Sequence, residues 1–251
     1  MKLKFINLNL WSVGGMFNRA LNFLIQEKAD LITLQEVYDG RGTKLAAGFR
    51  GLNLLKSGLD LPYCSFAPAL TDNRPEGKIV QGNAIFSRWP IISSKTIFFD
   101  VPYNDNYIAA PDNYFYVPRN LQQLKIKAGK INLNIFNTQG IWGLDGNDTE
   151  RRLKMSEKIV SQIKNKVNVI LAGDFNVNEG TQAILNIEKH LSNVFKNERP
   201  TSFNMKQKSQ PGYATAVVDF VFTSKAIKVI RHQSPLVDVS DHLPLICLLE
   251  I

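Results

Sequence analysis

The sequence predicts an α/β (α+β) protein arranged as a four-layer α/β sandwich, two mixed β-sheets packed face to face with outer helices. Three observations lead there. Segments of helical and strand period alternate along the chain. Several strands nevertheless follow one another directly, which a simple doubly wound parallel sheet does not permit. The run Val167 to Ala172 is apolar without a break, the pattern of a strand covered on both faces. The 251 residues are 44% apolar, and no Pro/Gly/Ser-rich linker, low-complexity segment or internal repeat divides them. Residues 1–251 are therefore expected to form a single domain with a sizeable core.

The elements follow in order. Leu3 to Leu10 alternates around Asn7 and Asn9 and reads as a strand. Phe17, Ala20, Leu21, Leu24 and Ile25 recur at helical spacing, so Gly15 to Lys28 reads as a helix. A strand from Leu31 ends at Gln35-Glu36, and Thr43 to Leu59 is expected to be helical. Tyr63 to Pro68 and Ile79 to Ser87 read as strands on either side of a polar loop from Thr71 to Lys78, and Ile91 to Phe99 as another strand. Pro102 to Pro118, rich in Tyr, Asn, Asp and Pro, is expected to be irregular, and a loop of that length is often functional. Leu121 to Ala128 and Lys130 to Thr138 make a hairpin around Gly129-Lys130. The remaining expectations are helices at Asp148 to Lys166 and Thr181 to His190. Strands are expected at Val167 to Ala172, Ala216 to Thr223, Ala226 to Arg231 and Leu245 to Glu250.

Composition narrows the function classes. The two cysteines, Cys64 and Cys247, give no disulfide framework, and Cys247 reads as a small buried residue. No signal-peptide pattern precedes the first strand and no apolar run is long enough to span a bilayer, so the expectation is a soluble cytoplasmic protein and a monomer. The formal net charge of +8 favours polyanionic partners, nucleic acid among them; a solvated basic surface explains it equally well, because no strong basic block marks a groove.

Polar residues recur at the ends of apolar runs. The sharpest case is Gly173-Asp174-Phe175-Asn176, directly after Val167 to Ala172. Open α/β sheets place ligands beyond the C-terminal ends of their strands. There an aspartate can polarise a water or hold a metal, and an asparagine can donate to developing negative charge. That pair suits the hydrolysis of a phosphate ester. Asn9, Glu36 and Asp241-His242 also sit at strand ends, and Asp219 lies inside an apolar strand. A buried aspartate needs a donor, and His242 is the attractive candidate for Asp219. Each has a plain structural reading as well. Glu36 can be an exposed strand end, Asn9 a cap for the turn at Trp11-Ser12, Asp241 a cap before Pro244, and His242 a satisfied core histidine.

Taken jointly, the chain resembles the endonuclease/exonuclease/phosphatase family, the superfamily of pancreatic deoxyribonuclease, AP endonucleases, bacterial sphingomyelinases and inositol polyphosphate 5-phosphatases. The resemblance runs from Leu3 to Leu249. It is carried by Leu8-Asn9-Leu10-Trp11, Leu34-Gln35-Glu36-Val37, Gly82 to Arg88, Gly173 to Asn176, Val218-Asp219-Phe220 and Ser240-Asp241-His242. It implies the four-layer fold and a Mg²⁺- or Mn²⁺-dependent phosphoesterase without a covalent intermediate. It also implies roles. Glu36 would be the principal metal ligand, assisted by Asn9, with Asp241 joining directly or through water. An all-oxygen set suits those ions and argues against zinc. Asp174 would orient and deprotonate the attacking water, and Asn176 would donate to the phosphoryl oxygens. His242 would bind phosphate with Asp219 fixing its tautomer, and Arg119 would contact substrate phosphate.

One position departs from the family pattern. Where many members carry a histidine, the mid-chain strand here ends Asn137-Thr138-Gln139-Gly140. Glutamine can donate a hydrogen bond to phosphate but cannot supply a proton, and a histidine restored there is expected to speed poor leaving groups. The charge leans the expectation toward a nuclease. A phosphoinositide- or sphingomyelin-type lipid phosphoesterase is the rival within the enzymes, and the aromatic loop around Tyr103, Tyr107, Tyr114, Phe115 and Tyr116 suits either. A binding protein that has lost turnover on the same fold is the rival outside them, supported by Gln139 alone. The acidic segment Gly143 to Glu150 lacks EF-hand spacing and reads as a surface loop entering a helix.

Overall fold

The strand faces explain how the molecule is built. In the computed structural model, residues 1–251 are described throughout, apart from the side chains of Val13, Pro111 and Asp112. In β1 (Lys2–Asn9), Leu3 and Phe5 point into one core cluster while Ile6 and Leu8 point into another. This is the period-2 alternation of a strand with both faces covered. The other side of the second cluster comes from α1 (Phe17–Glu27) through Phe17, Ala20 and Leu24, and from α2 (Gly51–Gly58) through Leu52 and Leu55. Between these helices runs β2 (Leu31–Tyr38), parallel to β1.

The long hairpin β3 (Tyr63–Arg74) and β4 (Gly77–Ser87) follows, then the edge strand β5 (Ile91–Phe98) and the short β6 (Asn104–Tyr107). The hairpin β7 (Asn120–Ala128) and β8 (Ile131–Gln139) leads through α3 (Glu150–Ile163) into β9 (Val169–Asp174). The chain closes with α4 (Gln182–Glu188), β10 (Ser192–Asn193), β11 (Asp219–Thr223), β12 (Lys228–Gln233) and β13 (Leu245–Glu250).

One sheet has seven strands in the order β12-β13-β1-β2-β4-β3-β6, and the other has six in the order β10-β11-β9-β8-β7-β5. Both mix parallel and antiparallel pairs. Leu3, Phe5, Leu31 and Ile85 of the first sheet meet Leu124, Leu133, Ile135, Ile170 and Val221 of the second. On the far side of the second sheet, Phe136, Leu171, Phe220 and Phe222 pack against Met155 and Ile159 of α3 and Ile184 and Ile187 of α4. The order is helices, sheet, sheet, helices, the four-layer sandwich that the sequence predicts.

Several boundaries differ from the sequence reading. The expected polar loop from Thr71 to Lys78 is strand except for its tip, because β3 and β4 continue as a hydrogen-bonded ribbon to the turn at Pro75-Glu76. The expected helix from Thr43 begins only at Ala47, as a 3-10 turn that passes into α2. Val167 does not belong to its strand: it is 72% exposed in the turn after α3, and β9 starts at Val169. The irregular stretch from Pro102 contains β6 and a 3-10 turn at Pro111–Tyr116. Cys247 is buried as expected, and both cysteines are free thiols.

The space between the sheets is not uniform. Along β1, the inward residues run Leu3, Phe5, Asn7, Asn9; along β2, Leu31, Thr33, Gln35; along β8, Leu133, Ile135, Asn137, Gln139; along β9, Ile170, Ala172, Asp174. The antiparallel strands run the same gradient in reverse, with Asn120 and Gln122 before Leu124 in β7 and Asp219 before Val221 in β11. These six strands thus turn from apolar to polar at one end of the sandwich. A polar network joins the sheets there. Gln35 Nε2 donates to Asn137 Oδ1 at 2.6 Å and to Asn7 Oδ1 at 2.9 Å, and Asn137 Nδ2 donates across to Leu34 O at 2.9 Å and Ala84 O at 3.1 Å. These bonds satisfy most of the buried amide groups, while Asn7 Nδ2 and Gln35 Oε1 have no partner among the described residues; an unpaired buried polar group costs roughly 1–3 kcal/mol.

Candidate active site

The polar end of the intersheet space leads into a cluster that holds the catalytic, substrate-binding and metal candidates read from the sequence. Register aligns it. Gln139 pairs with Asp174 across β8 and β9, and Asp174 pairs with Asp219 across β9 and β11, so the three side chains share one row and one face. Glycine permits this row. A Cβ on Gly173, which has φ 152°, would lie 2.0 Å from Thr138 O, and one on Gly140 would lie 2.0 Å from Phe175 O. Only glycine lets the two chains pass that closely.

Asp174 is buried at the end of β9. Its Oδ1 accepts the Asn176 backbone N–H at 2.9 Å, and its Oδ2 accepts Asn9 Nδ2 at 3.1 Å and Asn176 Nδ2 at 3.3 Å. Asn176, held at φ 55°, also donates to Gly140 O at 3.1 Å. Burial pushes the Asp174 pKa up to about 6, with Asp219 and Glu36 adding to the rise and His242 opposing it.

From the other sheet, Glu36 enters at a bulge in β2, between the residues Leu34 and Val37 that pair with β4. Its backbone is left-handed at φ 57°, and Ser12 Oγ donates to its carbonyl at 2.5 Å. Bulges re-aim a side chain next to active sites, and here the bulge turns Glu36 inward. Glu36 Oε1 accepts Asn9 Nδ2 at 3.2 Å and Gln139 Nε2 at 2.8 Å, while Oε2 accepts no hydrogen bond among the described residues. Asn9 also accepts the Trp11 N–H on Oδ1 at 3.1 Å, so it caps that turn and binds both carboxylates at once.

His242 and Asp219 form a buried pair, Nδ1 to Oδ2 at 2.8 Å, with the ring against Phe203 at 4.7 Å between centroids. Burial alone would lower the histidine pKa, but the charges of Asp219 and Asp241 overcome it and raise it to about 10. Asp219 Oδ1 has no partner among the described residues, so His242 bonded to Oδ2 is the donor on which this buried carboxylate rests. Asp241 is buried with its Oδ2 3.0 Å from Lys208 Nζ and its Oδ1 4.0 Å from His242 Nε2. The sequence reading missed Lys208. The pattern gave no sign of it, because it reaches Asp241 from an irregular segment far away in sequence.

Arg119 precedes β7 and is buried. Its Nη1 donates to Gln139 Oε1, and its Nε has no partner among the described residues. Among the described residues it makes no salt bridge, so a buried cation rests on a neutral amide. Burial lowers its pKa, opposed by the Glu36 and Asp174 charges, yet a guanidinium remains charged in proteins. The named residues are thereby linked in one chain, Arg119 to Gln139, Glu36, Asn9, Asp174 and Asn176, beside the group Asp219, His242 and Asp241. Past Gln139, Trp142 meets the rings of Tyr114 and Phe115 at 5.8 and 5.4 Å, so part of the aromatic loop lies over this edge. The acidic loop before α3 wraps the buried Arg152, which donates to Ile141 O at 3.1 Å, and Asp148 receives the Gln182 and Ala183 N–H groups at the start of α4.

No group of three or more His, Cys, Asp or Glu side chains able to hold a metal occurs among the described residues. That excludes a zinc-type cage of such residues there. It still fits a hydrated Mg²⁺ or Mn²⁺, which needs only one or two carboxylates and keeps several waters. Glu36 Oε2 is a carboxylate oxygen free to take one, and Asn9 Oδ1 has a second lone pair beside its bond to Trp11.

A model of the Endonuclease/Exonuclease/phosphatase family matches residues 7–242. No curated protein sequence matches the chain. Among solved structures, an endonuclease/exonuclease/phosphatase from Beutenbergia cavernae is similar with a TM-score of 0.75 at 18% identity, over 100% of this chain and 72% of that one. The mannosyl-6-phosphatase Bt3783 of Bacteroides thetaiotaomicron gives 0.69 at 18% identity, over 99% of this chain and 100% of that one. TDP2 of D. rerio, complexed with single strand DNA product, gives 0.71 at 17% identity, over 100% and 99%. At such identities the likeness speaks for the fold.

Proposed function

The chain belongs to the endonuclease/exonuclease/phosphatase family, and from that membership we propose that it is a divalent-metal-dependent hydrolase of phosphate esters, working on polyanionic substrates with nucleic acid foremost. The observation that carries the proposal is Arg119: a buried guanidinium without a carboxylate partner among the described residues, facing a cluster that also contains cationic His242. Burying such a charge is costly unless an anion completes it. A phosphate would take the free donors of Arg119 and His242 Nε2 together.

Each residue then has a task. Asp174, ionised above its raised pKa of about 6, accepts the proton of the attacking water while Asn9 Nδ2 and the Asn176 backbone N–H hold its carboxylate in place. Asn176 turns its amide toward the phosphoryl oxygens as charge develops there. Asp219 holds His242 in its charged form against the phosphate. Glu36 and Asn9 would hold Mg²⁺ or Mn²⁺, with Asp241 contributing through water. A bound ion of this kind supplies Lewis-acid neutralisation of a phosphate oxygen. Gln139 has no proton to give; it fixes Glu36 and Arg119 relative to each other. The preference for nucleic acid rests on the net charge of +8 and on the likeness to a DNA-bound structure, with the phosphatase among the similar structures as the counterweight.

The test uses wild type, Asp174→Asn and Arg119→Gln with Mg²⁺ on plasmid DNA, abasic duplex, RNA, phosphoinositides, sphingomyelin and sugar phosphates. Turnover by wild type is expected to fall about 10²–10⁴-fold in Asp174→Asn. Arg119→Gln should lose affinity for the same substrate. Absence of Asp174-dependent turnover on the whole panel would overturn the reading and favour a binding protein on this fold. Turnover confined to the lipids would move the substrate class to the membrane.

A further inference from the structure

The carboxylate of Asp219 must be aimed at His242 by its backbone, and that backbone lies at an open sheet edge. We propose that Arg199 and Ser202 are positioning residues for the Asp219–His242 pair: their side chains complete the edge of the second sheet at Asp219 and set its carboxylate at hydrogen-bonding distance from the histidine. The inference rests on the reading of His242 as a phosphate ligand given above.

Asp219 begins β11 in the second sheet, while His242 lies on the segment leading into β13 in the first. On its outer side β11 pairs with β10 at Phe222 and Thr223, and Val221 O accepts the Val194 N–H at 2.9 Å. Two residues further along that edge stands Asp219, and there side chains take the place of a strand. Ser202 Oγ accepts the N–H of Val218 and of Asp219, each at 2.9 Å, and Arg199 Nη2 donates to Asp219 O. A hydroxyl has two lone pairs, so one buried serine serves both N–H groups. The same segment grips the histidine. The Leu243 N–H donates to Ser202 O at 2.8 Å, Phe203 pairs with His242 in an antiparallel bridge, and the Asn204 N–H donates to Asp241 O at 2.8 Å. Ser202 thus fixes the backbone on both sides of the pair. Asp219 needs this hold because Asp174 is its cross-strand neighbour, and like charges directly opposite repel. The Arg199 guanidinium, behind Asp219, offsets that repulsion. It lies over the Phe195 ring at 5.2 Å, its Nη1 reaches Ser202 Oγ at 3.4 Å, and its Nε has no partner among the described residues.

The test is proton NMR of the His242 Nδ1–H on the full chain, with thermal melting to check each variant's fold. A hydrogen bond to a carboxylate moves this resonance to low field, and its loss in His242→Gln assigns it. Ser202→Ala and Arg199→Met should lose the resonance or shift it upfield. Arg199→Lys, which returns one donor to Asp219 O, should recover it. On a phosphate ester that wild type hydrolyses, kcat/KM should fall about 10²-fold in Ser202→Ala, the cost of a misplacement of about 1 Å. A wild-type resonance in folded Ser202→Ala and Arg199→Met would overturn the inference, whatever their turnover. Should Ser202→Ala fail to fold, Arg199→Met alone decides, because Arg199 is only half-buried. A wild type that neither hydrolyses a phosphate ester nor binds inorganic phosphate would overturn the phosphate reading of His242 instead, and the resonance would still decide the positioning.

Discussion

Gln139 looks like a loss when the strand is read alone and like a fit when its neighbours are seen. It must accept from Arg119 and donate to Glu36 at the same moment, and an amide does both without carrying charge. A histidine here could accept from Arg119 only while neutral, since an imidazolium beside a guanidinium repels it. The gain expected from restoring histidine therefore loses its basis. His242 behaves in the opposite way, because its neighbours favour the charge. Its pKa of about 10 in the fold lies above the ordinary 6.5, so the folded state holds the proton more tightly. That stabilisation is complete below about pH 6.5 and is lost as pH rises through about 10. Urea unfolding of the metal-free protein should show stability falling between about pH 7 and about pH 10, and His242→Gln should flatten that slope. Equal slopes would mean that the histidine is not held charged. Asp219→Ala should cost about 3–5 kcal/mol, as expected when one member of a buried pair is removed.

At the scale of the element, much of the site can be read from strand faces. Leu3-Phe5-Asn7-Asn9 and Leu133-Ile135-Asn137-Gln139 each turn from apolar to polar on one face, and Ile170-Ala172-Asp174 does the same. The sequence reading singles out Asn9 and Asp174 as strand-end residues and Gln139 as a departure from the family pattern, but not the series themselves. A period-2 pattern of hydrophobicity does not place Asn7, Gln35, Asn120, Gln122 and Asn137 inside the sandwich, where they are buried. Boundaries failed for a related reason. The ribbon beyond Thr71 is polar because it projects from the sheet, so composition resembled a loop although the backbone stays paired. Lys208 and the Asp148 cap on α4 depend on contacts between distant segments, which no local pattern records. Gly173 gives the sharpest test of an element. Gly173→Ala forces its Cβ against Thr138 O and a φ that an L side chain resists. It should destabilise the fold by more than about 1 kcal/mol, and it should lower kcat more than stability explains, because Asp174 is the next residue. A variant as active and stable as wild type would mean that β8 and β9 can separate at no cost.

For the whole molecule, the net charge of +8 makes a kinetic prediction. Capture of a polyanion should be screened by salt, so kcat/KM on DNA should fall steeply as KCl rises at fixed Mg²⁺, while kcat changes little. A kcat/KM independent of KCl would mean that the surface charge has no part in substrate capture. The division of labour between the sheets matters as much. Asn9 and Glu36 lie on one sheet, Gln139, Asp174 and Asp219 on the other, and His242 on the segment leading into β13. Neither sheet contains a working half of this centre. A phosphate or metal ion bound across it would therefore act as a rivet through the sandwich. At a hundred times its dissociation constant, such a ligand adds about 2.7 kcal/mol to the stability of the assembled form, and the first motion it suppresses is the parting of the two sheets at their polar end.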